Sequence, residues 1–546
     1  MTLKTHASLF LLALALAGSI AGFAATGSSL PFTLPATGAP DNFFGTTNLY
    51  TFHLTIAPDQ WAIMEESDEI KENAAHPVGN NDGPGRFQPA QPPERDGMGP
   101  GPGPGENPPK MGAEFKKGTA TLEFQGQPFG AIRVRFKGHS SFRFARNSLK
   151  RSLKLDFNDL EKGRTFFGVT KLNLNNNAMD PSQIREALAY YVFRNGGVPA
   201  GRTAFAKVFI TVPGKHNKAY AGLYTIVEQV DERFLKARFG AKEGMLLKPE
   251  NLPGLSRFVN DWAAYANQVQ AKTAVATNDA IRFMEFMQCL NFADDAHFQA
   301  AVGDYVDVDE LLRFLAVEGL LSNMDSPLMT GHNYYLYLHP KTRKLVWLPW
   351  DLNEAFGGFA PAGSASEQMD LSLDQPFTHV NRLAERLLHT PGMKERYHGI
   401  VRGLLAANFN AACLFPVIDG MAATIRSSLA NDRMVSLPQF EAALSELSQP
   451  ETLAGDNIAR SDFRHGGPGD GGKPRWPRPA LKVFIKQRAI SAQLQLDGKT
   501  NGYVPRGIRP EIGVGPSDER GGPNPPDRIR QDTNTAPLIR FLPKSH

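Results

Sequence analysis

Three hard-oxygen side chains cluster in the second half of the chain. Asp325 ends Ser322-Asn-Met-Asp325, Asn333 heads Asn333-Tyr-Tyr-Leu-Tyr337, and Asp351 follows Leu348-Pro-Trp350. Divalent ions such as Mg²⁺ take oxygen ligands in near-octahedral geometry and often share them with substrate phosphates. An acid and an amide on one loop, with a second acid after a hairpin, is how kinase-like sites hold a base and metal ligands. The chemistry this spacing points to is metal-assisted phosphoryl transfer. Asp325 follows an apolar helical run, where a carboxylate can orient a hydroxyl and accept its proton. The same position also suits an ordinary turn acid. Asp351 caps an apolar strand, where a charge is costly unless it is paired or metal-bound.

Phosphates also need cations. Lys154 lies in Ser152-Leu-Lys-Leu-Asp-Phe157, opposite Leu153 and Leu155. It is expected to reach nucleotide phosphates and to pair with Glu186, which shares a helix face with Ala189, Tyr190 and Phe193. Lys150 or Arg151 takes the role if the strand register shifts. In Lys137-Gly-His-Ser-Ser141, the glycine lets backbone approach an anion, and Lys137, Ser140 and Ser141 supply donors. A simple turn explains that string equally well. Glu228-Gln-Val-Asp231 follows a strand at the place of a kinase hinge, so the backbone of Glu228 and Val230 is the candidate contact for an adenine ring. Lys248 is a further candidate for the cleft.

These residues need a scaffold. Alternating apolar residues predict strands at 50–56, 119–124, 131–137, 150–157, 204–212 and 220–227. Asp180-Pro181 is expected to open a helix whose stripe is Ile184, Ala187, Leu188, Tyr191 and Val192, and Gly196-Gly197 to stop it. The second half is mainly helical, over 309–321, 381–388, 394–408 and 482–496, with a hairpin at 334–338 and 345–350. The fold class is α+β: a two-lobed, atypical protein-kinase-like fold. It has a small antiparallel-sheet lobe with one helix and a larger, mainly helical lobe.

With 546 residues, a formal net charge of +4 and 21% charged residues, the chain carries no electrostatic case for nucleic acid. Lys4 and His6 precede an apolar run at 9–20 with small residues after it, so residues 1–25 read as a secretory signal. A linker follows at 26–44. The N-lobe spans 45–235, with a disordered Gly/Pro-rich insertion at 74–111. The C-lobe spans 236–500, with a similar insertion at 465–479, and residues 501–546 form a disordered tail. No membrane span is expected after signal cleavage. The expected location is exported: periplasmic, cell-envelope or secreted. Cys289 and Cys413 are expected to be buried free thiols.

Six segments occur in order: Phe136-Lys-Gly-His-Ser-Ser141, Lys171-Leu-Asn-Leu-Asn-Asn176, Ile184-Arg-Glu-Ala-Leu188, Gly222-Leu-Tyr-Thr-Ile-Val-Glu-Gln-Val-Asp231, Asn333-Tyr-Tyr-Leu-Tyr337 and Leu348-Pro-Trp-Asp351. Together they resemble the spore coat protein H (CotH) kinase family. The resemblance implies ATP-dependent phosphorylation of hydroxyls on a protein acceptor with Mg²⁺ or Mn²⁺. It assigns Asp325 the catalytic position and Asp351 the metal. Asn333, as a metal ligand, and Lys154 with Glu186, at the nucleotide, follow from kinase topology. Two departures stand out. The family loop often reads Arg-Gly-Asn-Ser-Ser, and here Lys137 loses the bidentate fork of arginine. The family commonly has a second acid where this chain has Asn353, although Glu354 is adjacent. ATP is not maintained outside the cytoplasm. The alternatives are therefore a weak or inactive nucleotide-binding module of the envelope, or another ATP-dependent transferase on the same scaffold.

Overall fold

Seven strands with period-two burial make up the first half: β1 (Leu49–Ile56), β2 (Gly118–Phe124), β3 (Gln127–Phe136), β4 (Leu153–Asp156), β5 (Lys171–Asn175), β6 (Thr203–Val212) and β7 (His216–Glu228). The computed structural model describes residues 43–66, 115–138, 140–250, 252–256, 261–266, 268–378, 381–447 and 478–505. The expected signal, most of the linker, the 74–111 insertion, nearly all of the 465–479 insertion and the tail beyond 505 lie outside the described residues.

The strands close into a barrel in the order β1-β2-β3-β4-β5-β7-β6. Neighbours are antiparallel except β1 and β6, whose parallel pairing from Leu49↔Phe205 to Thr55↔Thr211 completes the ring. Leu54, Leu122, Ile132, Val134, Leu155, Leu172 and Leu174 fill the interior. Their alternates, among them Arg133, Arg135, Lys154, Lys171 and Asn173, therefore lie on the outer face. The small antiparallel-sheet lobe expected from sequence is instead a closed barrel with one parallel pair. Closure depends on two strands about 150 positions apart, which no local pattern reveals.

The helix expected from Asp180 begins later, at Arg185, and runs to Asn195. Asp180 holds the preceding turn instead, accepting from Ser182 N at 2.9 Å, Ser182 Oγ at 2.7 Å and Arg185 N at 2.9 Å. Gly197, at φ 81°, turns the chain away from the helix end.

In the second half, the helix Val308–Leu320 is capped by Asp307, whose side chain accepts from Glu310 N. It is buried along most of its length and delivers the chain to Asn323 and Asp325. β10 (Tyr334–Leu338) and β11 (Leu345–Pro349) form the expected hairpin, with Tyr334 opposite Pro349. The hairpin belongs to a four-stranded sheet, β11-β10-β8-β9, completed by β8 (Met245–Pro249) and β9 (Val269–Ala271). The helices Arg382–His389, Met393–Ala407 and Leu481–Leu496 match the expected segments within two residues. No single helix among the described residues is long and apolar enough to cross a membrane. Cys289 and Cys413 are free and half-buried, more open than expected.

A buried latch ties the barrel to the helical half, and both belong to one compact unit beginning at Asp41. Lys150 Nζ lies 2.6 Å from Asp432 Oδ2, with side chains 1% and 0% exposed. The same oxygen accepts from Leu223 N at 3.0 Å. Gly222 beside it has φ 139°, and a Cβ there would stand 2.6 Å from Lys150 Cδ. Lys150 is therefore committed to Asp432, and Arg151 pairs with Glu65 at 3.3 Å. Neither stands in for Lys154.

Candidate active site

Asp325 and Asn333 meet beside the open end of the hairpin, and Asp351 follows its second strand. Trp350 N donates to Asn333 O at 3.0 Å, one step beyond the last strand pair, Tyr334↔Pro349. Asn333 Nδ2 donates to Asp325 O at 2.9 Å and to Asp325 Oδ2 at 3.0 Å. The other Asp325 oxygen lies 2.9 Å from His332 Nε2. Burial disfavours the His332 imidazolium, but the Asp325 hydrogen bond, the Asp325 charge and the Asp351 charge together raise its pKa above the ordinary histidine value. One imidazole thus feels both carboxylates. Asn333 and Asp351 both adopt left-handed backbone, at φ 62° and 56°. Such strain recurs where a site over-determines its geometry. Asp351 is exposed, and its carboxylate makes no hydrogen bond or ion pair among the described residues.

A second group faces Asp351 from the barrel. Lys137, one residue past β3, donates from Nζ to Asn175 Oδ1 at 2.7 Å. Asn175 Nδ2 donates in turn to both Glu186 oxygens, at 2.9 and 2.8 Å. The amide thus joins an ammonium to a carboxylate. Lys137 Nζ also sits 5.5 Å from the Trp350 ring centre, one residue before Asp351. Burial lowers the Lys137 pKa, while Asp351 and Glu186 act to raise it. Burial first and then the Asp351 charge push the Glu186 carboxyl up to about 7, against the Asn175 hydrogen bond and Lys137.

The expected Lys154–Glu186 pair does not form. Lys154 pairs across the sheet with Arg135, one row farther out than Lys137, and its Nζ donates to Gln229 Oε1 at 2.6 Å. The lysine that meets Glu186 comes instead from the Lys137-Gly turn. Gly138 has φ 95°, and a Cβ there would collide with the Ser141 hydroxyl. Ser140 and Ser141 open the short helix Ser140–Phe144, and His139 lies outside the described residues.

Glu228 does not offer itself to a ligand. Its carboxylate is 3% exposed and holds Arg202 at 2.6 Å and Arg238 at 3.2 Å. Its N–H donates to Arg202 O at 2.9 Å. Val230 is buried, and its carbonyl accepts from Gln229 Nε2 at 2.9 Å. Lys248 pairs with Glu250 at 3.0 Å, and its charge opposes protonation of both His332 and Lys137. Glu354 does not replace the acid missing at Asn353. It is buried and held by Arg478 Nη2 at 2.6 and 2.7 Å.

Sequence reasoning did not single out His332 or Asn175. The signal for His332 was its place directly before Asn333, in the loop that Asp325 opens. Asn175 stood inside a quoted string with no role, because its partners lie on other elements. Among the described residues, no three His, Cys, Asp or Glu side chains gather as a metal cage.

A barrel-borne lysine is thus linked through Asn175 to a helix glutamate, with the Asp351 charge acting on both ends. Residues 134–447, more than half of the chain, match the family model described as CotH kinase protein, and the chain belongs to that family. It is similar to the inner spore coat protein H of Bacillus subtilis, with 27% identity over 49% of this chain and 71% of the relative. It is also similar to spore coat protein homolog 1 of Rhizopus delemar, with 24% identity over 64% of this chain and 57% of the relative. A solved structure, the Helicobacter pylori proinflammatory kinase CtkA, aligns with 59% of this chain and 93% of its own at 10% identity, with a TM-score of 0.20.

Proposed function

We propose that this protein is an exported phosphotransferase that moves the γ-phosphoryl group of ATP to a hydroxyl of a protein acceptor, with a divalent ion. What supports the reading is the Asn333–Asp325 contact, with Asp351 beyond the same hairpin acting on the Lys137–Asn175–Glu186 relay. Membership of the CotH kinase family supports it. Relatives named as spore coat proteins favour an envelope or outer location.

The donor set suits Mg²⁺ or Mn²⁺. Asp351 has an uncommitted carboxylate, Asn333 has an amide oxygen, and Asp325 stands beside them. One or two carboxylates completed by substrate phosphates is the usual magnesium pattern, unlike a cage of protein acids. A divalent ion held by Asp351 and Asn333 would supply positive charge to offset the charge of the phosphates. Lys137 holds phosphate oxygens, and Asn175 with Glu186 fixes its ammonium. Asp325 orients the acceptor hydroxyl and takes its proton. ATP lies between the barrel and the helical half, as between two kinase lobes, with its base toward the 229–231 backbone.

Two observations favour a second reading, a weakly active or passive nucleotide-binding module. His332 already occupies an oxygen of Asp325, and Asn353 removes a formal charge. The test is to incubate the purified chain with γ-labelled ATP, Mg²⁺ or Mn²⁺ and a generic protein acceptor. Asp325→Ala and Asp351→Ala are run beside it. Transfer lost in both variants supports the kinase. Nucleotide binding without transfer supports the passive module. Equal labelling by parent and variants refutes this site.

A further inference from the structure

Asp351 is held in left-handed backbone, and so is Phe356 at φ 58°, with the turn Leu352–Glu354 between them. Non-glycine residues keep such conformations only where their surroundings over-determine them. Here the surroundings include two buried guanidiniums. Arg185, at the start of the helix that carries Glu186, is 0% exposed, and its Nη1 donates to Ala355 O at 2.9 Å and to Phe356 O at 3.1 Å. Arg478 approaches from another part of the chain. Its Nη1 donates to Asn353 O at 2.8 Å, and its Nη2 donates to both Glu354 oxygens, at 2.6 and 2.7 Å.

The two arginines are tied to each other as well. Arg185 Nη2 donates to Pro479 O at 3.2 Å, so the residue after Arg478 is fastened to the same helix start. The helix Leu481–Leu496 follows, and its Phe484 meets Phe356 edge-on, with ring centres 5.7 Å apart. Gly358 leaves space for the clamp, since a Cβ there would stand 3.0 Å from Arg478 Nη1. The Arg478 and Glu354 side chains are 6% and 9% exposed. Asp180, 3.5 Å from Arg185, completes the charge balance of two cations and two carboxylates. The family match ends at residue 447, so Arg478 lies outside it.

We propose that Arg478 is a positioning residue of the candidate active site: it fixes the turn after Asp351 and so holds the Asp351 carboxylate where it can take a divalent ion. The segment beyond the family match thereby completes the site. Arg478 acts through the backbone next to Asp351 and not by contact with the ion, because both of its terminal nitrogens are spent on Asn353 and Glu354. Glu354 is the anchor for this arginine rather than a ligand. Groups that hydrogen-bond around a ligating carboxylate set its orientation and tune its affinity in this way. The proposal rests on the reading of Asp351 as a metal ligand.

The test is ion retention by the full chain. Mn²⁺ is titrated into chain in excess over a non-hydrolysable ATP analogue, and the bound ion is read from its paramagnetic resonance spectrum. Arg478→Lys keeps the charge but loses the planar fork. It should weaken Mn²⁺ binding roughly tenfold, the usual loss for a partner one step removed from the metal. Arg478→Met/Glu354→Gln removes both buried charges together, so neither is left unpaired, and should show the same loss at a melting temperature near the parent value. In transfer assays the Mn²⁺ concentration for half-maximal rate should rise by that factor, while the KM for ATP at saturating ion stays close to the parent value. A loss of structure alone would lower the active fraction and leave the half-maximal Mn²⁺ concentration where it was. The proposal is overturned if either variant, folded, binds Mn²⁺ as tightly as the parent while Asp351→Ala does not, and the reading of Asp351 then stands. If the parent holds no Mn²⁺, or Asp351→Ala holds as much as the parent, that reading falls and the proposal falls with it.

Discussion

Asp351 combines an uncommitted carboxylate with left-handed backbone, so its shape and its charge can be separated. Asp351→Asn keeps the side-chain volume and removes the charge. Transfer should fall roughly a hundredfold or more, as when a preorganised charge is removed from a reacting centre, while the melting temperature stays near the parent value. Similar losses are expected for Lys137→Ala and Glu186→Gln, because the relay needs both ends. His332 predicts a pH effect. Its pKa is raised by Asp325 and Asp351, so at low pH the imidazolium holds the Asp325 oxygen. Transfer should rise as pH passes through that raised value and frees Asp325. His332→Gln should abolish this rise, and identical pH profiles would remove His332 from the account. The three oxygen-bearing residues could be singled out in the sequence because they bracket one hairpin within a short stretch of chain. The lysine was not. Lys137 and Lys154 sit on the same outer face, and only strand pairing tells which row meets Glu186.

At the scale of elements, the Lys150–Asp432 latch joins β4's approach to a loop almost three hundred residues later. Asp432→Ala leaves a buried ammonium without a partner and should cost about 3–5 kcal/mol. Adding Lys150→Met should restore much of that, measured by urea unfolding. If the single variant unfolds like the parent, the latch is not a stabilising contact. Gly222→Ala should destabilise the same junction, since φ 139° and the Lys150 stem leave no room for a methyl group. The hairpin, the helix leading to Asp325 and most barrel strands were readable from periodicity. The helix start at Arg185 was not, because Asp180 resembles an N-cap while bonding a turn before the helix. The short β9 escaped because three residues give no period to read.

Across the whole molecule, buried acids set how stability responds to pH. Burial drives Glu318 up to about 8, against the Asn323 hydrogen bond, and Glu186 lies at about 7. Both folded values exceed the ordinary 4.5. Their protonated forms therefore favour the fold most fully below about pH 4.5, and that contribution is lost as pH rises through 7 and 8. The melting temperature should decline over this window. Glu318→Gln, neutral at every pH, should flatten the decline, and an unchanged slope would mean that Glu318 does not govern it.

Barrel closure has a practical corollary for anyone trimming the gene. The family match starts at Val134, inside β3, yet β1 at Leu49–Ile56 is the staple between β2 and β6. An expression clone beginning at that boundary would omit two staves and most of a third. Its raw edges would invite aggregation, so a soluble product requires the stretch from about residue 43 onward.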